Sequence, residues 1–384
     1  MSRFEKYFSK FLTANNGKAH FACHSHHYWP DCTRDAQLEY WDDSARLVDD
    51  KWGHIFGKKI PNTQELISRV LEFDRPSDIT FAPNTHELVY RVLSSFTEKI
   101  KVLTTDSEFY SFSRQMRRLC ELNLIEVTII ETLPFDSFQE RFSIEAQNGY
   151  DLIFISQVFF NTGLALKDLP TFIKSLTKTK AQVLIDGYHA FMAIPTSLKE
   201  VSDDIFYIAG SYKYAAGGEG CCFMTLPKNC NLKPANTGWF AELGELENVS
   251  KNEVPFSNDG LRFAGSTFDF TALYRLNSVL NLWENENITV DDIHAHVQSC
   301  QKSFLEQMNK CNHNLLNREN LIHLNFSTQG HFITFDLPSV DDVTKIREIL
   351  NSKGIQTDSR ENRLRFGFSL YHSSEFKYEK MFID

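Results

Sequence analysis

The 384-residue chain has no CxxC pair among its eight cysteines and no run of about 18 apolar residues. It also has no G-x-S-x-G elbow, no Walker pattern and no G-x-G-x-x-G turn. Each absence excludes something. Without CxxC spacing a structural zinc site is not expected, and no metal is assigned. Without a long apolar run nothing spans a bilayer. Without the three glycine motifs, α/β-hydrolase chemistry and the common nucleotide cradles find no support. Glycine (17) and proline (11) are too scarce for a collagen-like or low-complexity chain. Basic residues number 40 against 50 acidic ones, a net charge of −10. No overall positive field exists to gather nucleic acid or anionic lipid, so neither is expected as a partner. The opening MSRFEKYFSKFLTANN lacks the apolar stretch of a secretory signal. Together with unpaired cysteine spacing, that predicts a cytoplasmic protein with reduced thiols.

What is present is ordinary globular material, 42% hydrophobic and 23% charged, with an excess of phenylalanine (33). Phe4, Tyr7, Phe8, Phe11 and Leu12 recur at helical spacing and predict a short amphipathic N-terminal helix. Residues 101–105, 124–131, 151–157, 181–186 and 204–209 are short runs rich in Val, Ile and Phe, with helical patterns at 113–122 and 136–147. That alternation predicts an α/β fold with a mostly parallel sheet. From residue 270 a long helical pattern runs through Trp283. Helices at 290–310 and 340–352 and strands at 321–325, 332–335 and 363–368 follow. The chain therefore divides into a large domain, 1–275, whose first 30 residues form an arm, and a small α+β domain, 276–384.

Ligands of such sheets sit beyond the carboxyl ends of the strands. There the sequence places Asp186 and His189 (IDGYHA), Ser211, Tyr212 and Lys213 (GSYKYAAGG), Asn161 (FNTG), Phe109 with Tyr110 (DSEFY), and Asn84 with Thr85 opening a helix (APNTHE). A lysine amine forms a Schiff base with an aldehyde cofactor, a carboxylate keeps a pyridine nitrogen protonated, a helix N-terminus holds phosphate and an aromatic ring stacks on a flat one. The set describes a site for pyridoxal 5′-phosphate. His24, His26 and His27 crowd one short segment (CHSHHYWP). If it is extended, His24 and His26 point the same way, as a loop over the site with one imidazole near the substrate.

These motifs resemble those of the class V aminotransferases, pyridoxal-phosphate enzymes of fold type I, and kynureninases in particular. SYKY, DGYHA and FNTG carry that likeness, along with TGWF (237–240), RFAGST (262–267) and LRFGFSLYHS (364–373). The resemblance implies Lys213 as the catalytic lysine and general base. Asp186 is implied as partner of the pyridine nitrogen and Phe109, with Tyr110 its rival, as the stacking ring. Asn84, Thr85, Asn161, His189, Ser211 and Tyr212 complete the cofactor contacts. Trp239 and Thr267 are implied to reach across a homodimer, whose composite sites take a small amino-acid substrate. Arg365 is implied to bind the substrate α-carboxylate, Arg363 being the alternative, with Ser25 and His26 nearby. The implied reaction is hydrolytic Cβ–Cγ cleavage. The alternatives are transamination of another amino acid, or a pyridoxal-phosphate fold kept as a catalytically silent binding module. The desulfurases of the same fold use a cysteine shortly before the carboxylate-binding arginine, and residues 354–365 contain none.

Overall fold

The computed structural model describes residues 2–243, 254–323 and 325–382. Seven strands form one sheet: β1 (Ile79–Ala82), β2 (Ile100–Thr105), β3 (Ile125–Ile130), β4 (Leu152–Ser156), β5 (Gln182–Asp186), β6 (Ile205–Gly210) and β7 (Cys222–Thr225). Their order is β1-β7-β6-β5-β4-β2-β3. β7 pairs antiparallel with both neighbours, and every other pairing is parallel. β1, β4, β6 and β7 are buried at every residue. That is why they read as continuous apolar runs and not as alternating ones. Strands β2 to β6 match the expected runs to within one or two residues. β1 and β7 were not expected, because four-residue runs such as ITFA and CFMT give too little pattern to stand out.

Because β1 points the same way as β2 to β6, the carboxyl ends of six strands share one rim. The connections leaving Ala82, Thr105, Ser156, Asp186 and Gly210 therefore face one another. Two close approaches make that rim possible. A Cβ on Gly187 would lie 1.9 Å from the Tyr207 hydroxyl, and one on Gly210 would lie 2.7 Å from the Tyr188 hydroxyl. Only glycine leaves room there for the two tyrosine side chains.

The helix Thr271–Asn285 packs against Cys32–Leu47 and Ile60–Leu71. Its Leu276, Val279, Leu280 and Trp283 belong to the large core. The expected boundary at 275 thus falls inside a continuous helix. The change of core comes in the next helix, Val290–Cys311, where Ile293 packs in the large core and Val297 in the small one. A capping box at Thr289 and Asp292 starts that helix. The small core lies between it, the helix Val340–Ser352 and a sheet of β8 (Phe332–Asp336), β9 (Asp358–Arg360) and β10 (Arg363–Gly367), ordered β9-β10-β8. The strand expected at 321–325 is reduced to one bridge between Leu321 and Phe335, since His323 takes a left-handed φ of 56°. Leu324 lies outside the described residues.

The N-terminal segment is a 3₁₀ turn, Glu5–Phe8, followed by a short helix, Ser9–Ala14, with Phe4 and Phe8 buried. The single helix expected there is broken in two. Beyond it Ala19–His20 pairs with Ile355–Gln356, and Phe21 enters the small core. The N-terminal segment is therefore strapped to the small core before it reaches the rim. Among the described residues no helix is long and apolar enough to cross a membrane.

Candidate active site

Lys213 stands three residues beyond β6, in a loop folded back on itself. Ser211 receives Gly217 N–H on its carbonyl (2.8 Å) and donates its hydroxyl to the carbonyls of Gly218 and Cys221. Arg275 clamps the same loop through the carbonyls of Gly217 and Glu219. Gly218 adopts a φ of +73°, and a Cβ there would lie 2.4 Å from the Trp29 indole. Ser211 and Arg275 thus fix the backbone that presents the lysine. Nothing in the sequence singled out Arg275, which reads as one more residue of a long helix.

The Lys213 amine makes a hydrogen bond with His189 Nε2. Its Nζ lies 5.1 Å from the centre of the Tyr188 ring and 5.6 Å from that of Phe109. Burial holds the amine well below the ordinary lysine range, against the pull of Asp186, and the Arg365 and Arg360 charges push the same way as burial. Burial also raises the Asp186 carboxyl, opposed by the Tyr188 N–H that donates to its Oδ1 (2.8 Å) and by Lys213. His189 is kept neutral by burial, then by Lys213 and Arg365. Its Nδ1 is buried without a partner.

The other expected residues separate. Phe109 caps the helix Tyr110–Glu121 and is 44% exposed, with its ring edge-on to Phe160 at 5.6 Å. Asn84 is the N-cap of Thr85–Leu93, accepting Glu87 N–H at 2.9 Å, so Thr85 is the first helical residue. Asn161 donates to Ser107 Oγ (3.0 Å), and its Oδ1 is buried and unpartnered. Trp239 donates to Thr267 (3.3 Å) and packs with Trp52 and Phe240. Residues 23–26 form a turn and not a strand, so His24 and His26 do not share a face. His26 is exposed and lies edge-on to Tyr212, next to a half-buried Ser25. His24 is the buried one, stacked on Phe332 at 4.6 Å, and the Arg365 and Lys213 charges reach it. Arg365 is 2% exposed, paired with Asp358 and donating to the Phe160 carbonyl.

Glu108, beside Phe109, escaped the sequence reading. It is 3% exposed and accepts hydrogen bonds from Thr105 Oγ1 (2.7 Å), Ser156 N–H (3.1 Å) and the Ser156 hydroxyl. It ties the end of β2 to that of β4. Burial pushes its carboxyl up to about 7 against those bonds, with Asp186 adding to the rise. A carboxyl raised in the fold favours folding below its unfolded pKa, and that advantage fades as pH climbs through the folded value. Its burial is therefore costly at alkaline pH, by up to about 3 kcal/mol. Glu108→Gln keeps the acceptor for Ser156 N–H. Urea unfolding is expected to show it gaining about 2 kcal/mol more, relative to the parent, near pH 8.5 than near pH 5.

The geometry fits pyridoxal phosphate. Two aromatic rings lie near the amine, the half-buried Asp186 carboxylate stands at the same rim, and His189 Nδ1 is orphaned beside them. The helix Thr85–Leu93 points its N-terminus there from β1.

Comparison with known families matches residues 29–360 to Aminotransferase class-V. No curated protein matches the sequence. Among solved structures, a cysteine desulfurase from Thermococcus onnurineus NA1 superposes with a TM-score of 0.80 at 17% identity, covering 100% of this chain and 96% of that one. The cystine C-S lyase C-DES, in complex with its product cysteine persulfide, gives 0.78 at 16% identity over 96% and 97%. The cysteine desulfurase CsdA of Escherichia coli gives 0.75 at 14% identity over 99% and 97%. At these identities the likeness is one of fold.

Proposed function

Since the chain belongs to the class-V aminotransferase family and is a pyridoxal-phosphate-dependent enzyme, we propose that it acts on an amino acid bound through its α-carboxylate, by kynureninase-like hydrolysis of the Cβ–Cγ bond. The observation that carries the reading is the Lys213 amine. It is depressed in basicity, bonded to His189 and close to the Tyr188 and Phe109 rings on the rim that holds Asp186. The cofactor supplies an electron sink for a carbanion at the substrate Cα. Lys213 Nζ would hold its aldehyde carbon, and Asp186 would keep its ring nitrogen protonated. Phe109 and Tyr188 would cover its faces, with Asn84, Thr85, Asn161, Ser211 and Tyr212 around its polar edge. Once released, a neutral Lys213 amine accepts the Cα proton. His189, itself neutral, holds that amine in place. Arg365 fixes the substrate carboxylate, with Ser25 and His26 on the adjoining turn.

The family's own name supports a second reading, transamination. The reaction of the desulfurase neighbours gains nothing from Cys23 or Cys222. Cys23 and Cys222, at His24 and Tyr188 respectively, are buried. Burial raises the Cys23 thiol and pushes Cys222 up to about 12. The same reading assigns a homodimer, with Trp239 and an exposed Thr267 facing the partner's site, and a reducing cytoplasm suited to eight free cysteines. The test is product analysis of the loaded protein with L-kynurenine. Hydrolysis consumes one water and yields anthranilate and alanine. Transamination consumes a 2-oxo acid and yields its amino acid. Anthranilate formed without a 2-oxo acid is the expected result, and its absence overturns the hydrolytic reading.

A further inference from the structure

Arg365 is already occupied. One terminal nitrogen donates to the Phe160 carbonyl and the other to Asp358 Oδ2, while Nε is buried without a partner. Strand register builds the pair, because Asp358 stands directly opposite Arg365 in the β9–β10 ladder. A substrate carboxylate must therefore compete for this arginine with one carried by the chain.

Asp358 has somewhere else to go. Arg360 donates to its Oδ1 at 3.0 Å, and its own strand's Ser359 N–H does so at 2.7 Å. His24 Nε2 lies 3.6 Å from Oδ2, too far for a hydrogen bond. Yet His24 is 1% exposed, and neither ring nitrogen has a partner. A buried imidazole with both nitrogens unmatched is rare in native folds and calls for an explanation in another state. The space for it is reserved: a Cβ on Gly367 would lie 2.4 Å from His24 Nδ1. A shift of the Asp358 carboxylate by about 1 Å toward the ring would satisfy the imidazole and release Arg365.

We infer that Asp358 is a resident stand-in for the substrate α-carboxylate, ceding Arg365 to the incoming group and moving onto His24 and Arg360. This rests on the role proposed above for Arg365. Asp358 then acts as a specificity-determining residue. A ligand with a carboxylate repays the displacement by taking Arg365. An amine without one leaves the Asp358–Arg365 pair closed and gains nothing from the arginine.

The experiment is calorimetric titration of the pyridoxal-phosphate-loaded protein with L-alanine and with ethylamine, which lacks the carboxylate. Asp358→Asn removes the competing charge. L-Alanine is expected to bind about tenfold more tightly, with ethylamine unchanged. His24→Phe keeps a ring on Phe332 but removes the receiving nitrogen, and is expected to weaken L-alanine about threefold. Arg365→Lys is the control and should weaken L-alanine alone. If it weakens L-alanine while Asp358→Asn leaves that affinity unchanged or lower, the stand-in is overturned and the role of Arg365 survives. If Arg365→Lys leaves L-alanine unchanged, the carboxylate role itself fails and the inference falls with it. Should Asp358→Asn not fold, His24→Phe decides alone: threefold weaker binding supports the exchange, and unchanged binding overturns it.

Discussion

Lys213→Ala is expected to abolish the visible absorbance of the purified, cofactor-loaded protein and to lower turnover by about a thousandfold or more. Two functions are lost together, because the same Nζ would hold the cofactor and take the substrate's Cα proton. Adding an amino acid to the variant should restore absorbance without turnover, since substrate supplies an amine but no base. The neighbours of Lys213 grade the effect. Asp186→Ala removes the carboxylate at the ring nitrogen and should approach the lysine variant in severity. His189→Gln keeps a hydrogen-bonding side chain beside Nζ and should cost far less, about ten- to a hundredfold. Loss of the buried imidazole also changes the field at the amine, so the alkaline or acid limb of the rate profile should move with it. If Lys213→Ala retained both the spectrum and the rate, the assignment of the lysine would fail, whatever the substrate.

How much of this site was legible depends on what positions each residue. Lys213 and Asp186 could be found because each follows a run of Ile, Val and Phe that becomes a buried parallel strand, and such strands deliver their next residues to the rim. Glu108 has the same address, two strands along the sheet from Asp186, but nothing in DSEFY marks its carboxylate as buried. Its burial comes from Ser156, 48 residues later, which no local pattern reports. The histidine turn shows the opposite failure. Alternation predicted that His24 and His26 share a face, but the backbone turns at 23–26, sending His24 into the interior and His26 to the surface. His24 then meets Asp358, which a hairpin register sets against Arg365. The Arg365 guanidinium was predicted as a carboxylate receptor. That it already carries a carboxylate followed from cross-strand pairing, which depends on where the hairpin turns and not on composition.

Acidification is expected to unfold the protein steeply below about pH 6, because its interior holds neutral histidines that the unfolded chain would protonate. His20, His24, His27, His189, His294, His296, His331 and His372 are all lowered, with burial the largest cause in each. Burial takes His27 to about 4 and His372 to about 3. For His372 the geometry explains why the ring must stay neutral. Its Nδ1 accepts Ser369 N–H at 2.8 Å, so Nε2 carries the proton donated to the His20 carbonyl at 2.9 Å. A second proton would set Nδ1–H against the Ser369 N–H. A group whose pKa is depressed by folding gives stability that is complete above its unfolded value, near 6.5, and is lost as pH falls from there toward the folded value. In that window each such histidine costs about 1.4 kcal/mol per pH unit. His27 and His372 alone cost roughly 3 kcal/mol per unit, against a total stability of about 5–15 kcal/mol for an ordinary domain. Glu108, Asp186 and Asp78 oppose the trend, since their raised carboxyls are relieved by acid. Three carboxyls do not outweigh eight imidazoles. Urea unfolding from about pH 8 down to about pH 5 should therefore show stability falling by several kcal/mol. His372→Gln, which can still donate to the His20 carbonyl, should flatten the slope by about one proton's share even if it lowers stability at neutral pH. A slope unchanged in that variant would mean that His372 takes up its proton in the folded state as readily as in the unfolded one.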